Sequence, residues 1–127
     1  MDSPRILIVD DEPSVLGLAT LILQGAGYPV LTASNGREGL EAFKSSIQTI
    51  NVLVSDVQMP LMGGIEMAKA IKSRKMDLNV IFISGYTPTE EITDLILEWD
   101  AQFIPKPFDL QHFKNAVQKV MVASSKV

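Results

Sequence analysis

Short apolar runs rich in β-branched residues alternate with segments of helical periodicity along the chain, and this alternation constrains the fold more than any other feature. Runs such as Ile6-Leu7-Ile8-Val9 and Val52-Leu53-Val54 are apolar throughout rather than at every second position. That pattern marks strands buried on both faces, as in a parallel sheet covered by helices. Strands are expected at residues 5–10, 28–33, 51–56, 79–84 and 102–105, each followed by a helix.

The first helix, 13–24, opens on Pro13, whose missing N–H costs nothing in a first turn, and stops at Gly25. Its stripe is Val15, Leu18, Ala19 and Ile22. The second follows Asn35, an N-cap residue with Glu38 three positions on, and turns Leu40, Phe43 and Ile47 inward. The third spans 64–74 on Ile65, Ala68 and Ile71. For the fourth, Thr87-Pro88-Thr89-Glu90 combines a capping box with proline at the first helical position, ahead of Ile92, Leu95, Ile96 and Trp99. The last begins near Asp109 and carries Leu110, Phe113, Val117 and Val120. One domain over residues 1–122 is expected, with 123–127 a flexible tail.

Strict alternation with short connections predicts a single doubly wound α/β sheet of five parallel strands in flavodoxin-like order 2-1-3-4-5. The C-terminal ends of strands one and three then flank the switch point where such sheets bind ligands. Composition narrows the partners. With 127 residues, no cysteine and a net charge of −4, the chain has no thiolate chemistry, no disulfide framework and no attraction for phosphate backbones, so no nucleic acid is expected to bind it alone. The residues before Asp10 lack a signal-peptide core, and the longest apolar stretch, 15–23, falls far short of the ~20 residues of a membrane helix. A cytoplasmic protein without a membrane association is the expectation.

Both strands at the switch point end on acid: Asp10-Asp11 after the first, Asp56 after the third. Crowded carboxylates oppose one another's ionisation and call for a cation. The metal-free protein should therefore gain stability when one acid is neutralised. Ser84 ends strand four and Lys106 follows strand five, so acids, a hydroxyl and an amine share one edge. Mg²⁺ takes oxygen ligands and pairs with phosphate, and phosphoryl transfer needs positioning and charge neutralisation, with an aspartate able to act as nucleophile.

The runs Ile8-Val9-Asp10-Asp11-Glu12-Pro13, Asp56-Val57-Gln58-Met59-Pro60-Leu61-Met62-Gly63-Gly64, Ser84-Gly85 and Lys106-Pro107-Phe108 make the chain resemble the receiver domains of two-component response regulators and hybrid histidine kinases. The resemblance covers nearly the whole chain. It implies that Asp56 accepts a phosphoryl group from a phosphohistidine on a histidine kinase or phosphotransfer domain. Asp11, Asp56 and the Gln58 backbone carbonyl would bind Mg²⁺ directly and Asp10 mostly through water. Ser84 and Lys106 would hold the phosphoryl oxygens, with Ser84 and Phe103 as the switch that reports to a downstream effector domain or protein. It also implies a cis Lys106–Pro107 bond and a role in signalling rather than catalysis.

The competing reading is a haloacid dehalogenase-like, Mg²⁺-dependent phosphohydrolase, which uses the same groups but places its nucleophile at the end of the first strand, with a second aspartate two residues on. Here the strand-one pair is adjacent and the isolated acid is on strand three. His112, the one histidine, reads as a solvated helix residue, and Met59, Met62 and Met67 read as packing.

Overall fold

The computed structural model describes residues 4–125. Its elements are β1 (Ile6–Val9), α1 (Pro13–Gly25), β2 (Val30–Ala33), α2 (Gly36–Ser45), β3 (Val52–Asp56), α3 (Gly64–Arg74), β4 (Asn79–Ser84), α4 (Glu90–Trp99), β5 (Gln102–Pro105) and α5 (Leu110–Ser125). The sheet runs β2-β1-β3-β4-β5 with every pair parallel, the expected order. Among the described residues no helix is long and apolar enough to cross a membrane.

Alternate strand residues feed two cores. Leu7, Val9, Leu53, Val80 and Phe82 pack with Phe43, Met67, Ala68, Ile71, Ile92 and Leu95, which places α2, α3 and α4 on one face. Ile6, Ile8, Val52, Val54, Ile81, Ile83 and Ile104 pack with Ala19, Leu23, Phe113, Val117 and Val120 under α1 and α5. β1 and most of β3 and β4 are thus buried from both sides, which is why their sequences read as unbroken apolar runs. The methionines behave as packing: Met67 is fully buried, with Met59 and Met62 against the same core.

Helix faces depart from the expectation in two places. Leu18 is exposed while Leu16 and Leu23 face the core, and Leu110 is exposed while Phe113 begins the buried stripe of α5. Spacing identifies a stripe, but only the angle at which a helix crosses the sheet decides which edge of that stripe is covered. Ile47 lies beyond the end of α2 yet still packs on the core. Helix α5 runs to Ser125, three residues into the expected tail, and residues 126–127 lie outside the described residues.

The start of α4 corrects the sequence reading. Its N-cap is Thr89, whose Oγ1 accepts the Ile92 N–H at 3.2 Å, and Pro88 lies ahead of the helix rather than at its first position. Both threonines can cap. The chain spends Gly85 and Tyr86 on a loop in which the Tyr86 N–H donates to Ser84 Oγ (3.0 Å), so it needs residues 87 and 88 before it can turn into a helix. Thr89→Ala should cost about 1 kcal/mol and Thr87→Ala only a few tenths. Denaturant unfolding of the two variants compares them directly; equal losses would contradict the cap at Thr89.

Candidate functional site

Every strand of the sheet points its C-terminal end at one edge, and the acids that follow β1, the polar ends of β3 and β4 and the β5–α5 connection meet there. Register explains why. Val9 pairs with Ser55 and Asp56 with Ile83, so the residues after Val9 and the end of β3 stand at one level, and Ser84 lies one step further along β4. Lys106 directly follows β5 at this edge, its N–H donating to the Ser84 carbonyl at 2.7 Å, and the Lys106–Pro107 bond is cis, as expected.

Asp10 is fully buried and Asp56 nearly so, whereas Asp11 and Glu12 are exposed. One oxygen from each of these four acids lies within 4.8 Å of the others. Lys106 Nζ sits among them: 2.9 Å from Asp10 Oδ2, 2.9 Å from Glu12 Oε1 and 3.3 Å from Asp56 Oδ2. The Glu12 and Asp56 contacts are hydrogen bonds. The Asp10 contact is an ion pair without hydrogen-bond alignment, which leaves Asp10 Oδ2 buried with no hydrogen bond, while Asp10 Oδ1 accepts the Glu12 N–H at 2.9 Å.

Electrostatics follows from this crowding. Burial and then the Asp10 charge push the Asp56 carboxyl up to about 6, against the opposing pull of Lys106. For Lys106, burial disfavours the charge, but Glu12, Asp10 and Asp56 outweigh it and hold its pKa above the usual lysine value. The ammonium is therefore a fixed positive charge beside an acid that remains mostly ionised at neutral pH.

A cleft of about 440 Å³ opens over the acids, lined by Asp11, Glu12, Asp56, Gln58, Gly85, Tyr86 and Lys106. Of the residues singled out from sequence, Asp10, Asp11, Asp56 and Lys106 come together and Gln58 joins them at the wall. Ser84 is buried behind that wall, its hydroxyl accepting the Tyr86 N–H. Phe103 is half-buried and pairs in register with Phe82 on the face under α4, where Phe82 stacks on Trp99 at 6.4 Å. His112 is exposed on α5, and its N–H lies 3.3 Å from Asp109 Oδ1.

Glu12 is the participant that sequence reasoning did not assign. It was visible only as the residue after the acidic pair, and its partner Lys106 is 94 positions away.

An oxygen-only set of acids with one buried carboxylate oxygen lacking a hydrogen bond suits a hard cation such as Mg²⁺. The same edge carries a lysine able to neutralise phosphoryl oxygens. The response regulator receiver domain family matches residues 6–118. The chain belongs to that family. It is a receiver domain of two-component systems, and the dehalogenase-like alternative has no support in either the matches or the placement of its acids.

Among its relatives, this receiver domain is 30% identical to the response regulator receiver protein CpdR of Brucella abortus, over 94% of the chain and 98% of CpdR. It is 32% identical to the sensor kinase CckA of the same organism, over 94% of the chain but only 13% of that kinase. The chain thus spans a whole relative in one case and a small part in the other. Among solved structures, a chain of the CheX-CheY-BeF₃-Mg²⁺ complex of Borrelia burgdorferi superimposes with a TM-score of 0.83 at 29% identity, covering 93% of this chain and 89% of that one.

Proposed function

We propose that Asp56 is the phosphoacceptor of this receiver domain and that a phosphohistidine on a histidine kinase or phosphotransfer domain is its donor. The observation that carries the reading is the Lys106 ammonium 3.3 Å from Asp56 Oδ2, at the base of a cleft walled by acids. An Asp56 carboxylate oxygen attacks phosphorus as the P–N bond breaks, and the imidazole nitrogen leaves with the bonding electron pair and takes a proton from solvent. Lys106 neutralises a phosphoryl oxygen, and Ser84 can turn its hydroxyl from the Tyr86 N–H towards another. Asp11, Asp56 and the Gln58 carbonyl would hold Mg²⁺ directly, with Asp10 acting mostly through water. When bound, the cation offsets the charge of the acids and of the incoming phosphoryl group.

Movement of Ser84 would vacate space on the face it shares with Phe82 and Phe103, and an inward turn of Phe103 fills it rather than leave a cavity. The surface formed by α4, β5 and α5 then changes for a downstream effector domain or protein.

Incubation with Mg²⁺ and acetyl phosphate tests the assignment, with the modified residue mapped by mass spectrometry. One base-labile phosphoryl group on Asp56 is expected; a group on any other residue overturns the reading. Cation binding separates the acids, because Asp11 faces the cleft while Asp10 is buried against Lys106. Asp11→Ala should lower Mg²⁺ affinity more than tenfold and more than Asp10→Asn does. Isothermal titration measures both, and undiminished affinity in Asp11→Ala contradicts the coordination.

A further inference from the structure

Lys106 carries its charge on a flexible stem with three rotatable donors, so it has no preferred direction of its own. Its side chain is nonetheless only 14% exposed and its ammonium is held among three carboxylates. Two of those change partner in the proposed chemistry: Asp56 when it is esterified, and Asp10 when a cation is bound. Glu12 alone is left.

Glu12 is well placed for that task. Its carbonyl accepts the Val15 and Leu16 N–H groups at 3.1 Å each, as the N-cap of α1, and its own N–H is bound to Asp10 Oδ1. The backbone is fixed by the helix on one side and by the site on the other. Its side chain is 56% exposed on the cleft rim, and Oε1 accepts the Lys106 hydrogen bond at 2.9 Å.

We propose that Glu12 is a positioning residue that holds the Lys106 ammonium over the cleft while Asp56 is phosphorylated. The proposal rests on the reading of Asp56 as phosphoacceptor and adds a tether between the start of α1 and the end of β5. Service as another cation ligand is the rival use of the same carboxylate, and the two are separable because only the tether acts through Lys106.

The test is beryllofluoride binding at saturating Mg²⁺, followed by fluorine NMR, in Glu12→Ala and Glu12→Gln, each with Lys106 and with Lys106→Ala. With Lys106 present, alanine should weaken binding about fivefold. Glutamine should weaken it about twofold, because its amide oxygen still accepts a hydrogen bond but without charge assistance. With Lys106→Ala, neither change should have a further effect. An equal loss without Lys106, or an unweakened Glu12→Ala protein, overturns the proposal. If Glu12→Ala does not fold, the glutamine pair applies the same criterion. A parent protein that binds no beryllofluoride defeats the phosphoacceptor reading and the tether together, whereas a parent that binds while Glu12→Ala binds equally defeats the tether alone.

Discussion

Asp56→Asn should abolish labelling by acetyl phosphate and, in the same protein, raise the stability of the metal-free fold at neutral pH. Loss of labelling follows from removing the nucleophilic oxygen. The gain in stability follows from the raised pKa: folding moves the Asp56 carboxyl from its ordinary 3.8 to about 6. Between those values the folded state holds the proton more tightly than the unfolded chain does, so stability falls as pH rises from about 4 to about 6 and stays reduced above. Asparagine does not titrate and keeps an oxygen for Lys106. The variant should match the parent near pH 4 and exceed it above pH 6 by on the order of 1–2 kcal/mol, a figure already reduced for solvent screening at the cleft. Saturating Mg²⁺ should narrow or reverse the difference, because the cation stabilises only the folded parent with its acids intact. Melting curves from pH 4 to 8 in chelator measure the effect. A parent that gains stability over variant as pH rises through 6 would show that Lys106 more than cancels the crowding.

Gly64→Ala should cost about 3 kcal/mol and impair phosphorylation without touching an acid. A Cβ on Gly64 would overlap the Asp56 backbone carbonyl and reach within 2.9 Å of Ser55 Oγ, which itself donates to that carbonyl at 2.8 Å. The Gly64 N–H is also bound to the Val57 carbonyl at 2.8 Å, so the first turn of α3 cannot back away without breaking the turn that follows Asp56. A fall in Tm of roughly 12 °C is expected for a domain of this size. Gly17→Ala is the control, since nothing lies within 4 Å of its added Cβ in the middle of α1. That change should stabilise by about 0.5–1 kcal/mol, the ordinary helix preference for alanine. Similar small effects for the two variants would contradict the close approach beneath Asp56.

What the sequence determined by itself was the set of groups and the edge they share. Apolar runs that lead into Asp10 directly and into Asp56 through Ser55 declare strands buried on both sides, and in a parallel sheet such strand ends must face one way. The alternation with helices then leaves little freedom in strand order. Only the tertiary structure decided which carboxylate is buried, which leucines of α1 are covered, that Leu110 of α5 is not, which threonine caps α4 and that Glu12 grips Lys106. Asp10 and Asp11 are adjacent and chemically identical, yet the Asp10 N–H bonds to the Ala33 carbonyl at the end of the β1–β2 ladder, and Asp10 is buried against Lys106 while Asp11 faces the cleft. Local pattern reports what each element buries. The relative placement of elements tens of residues apart depends on the packing of both sheet faces together, and no stretch of sequence contains that information alone.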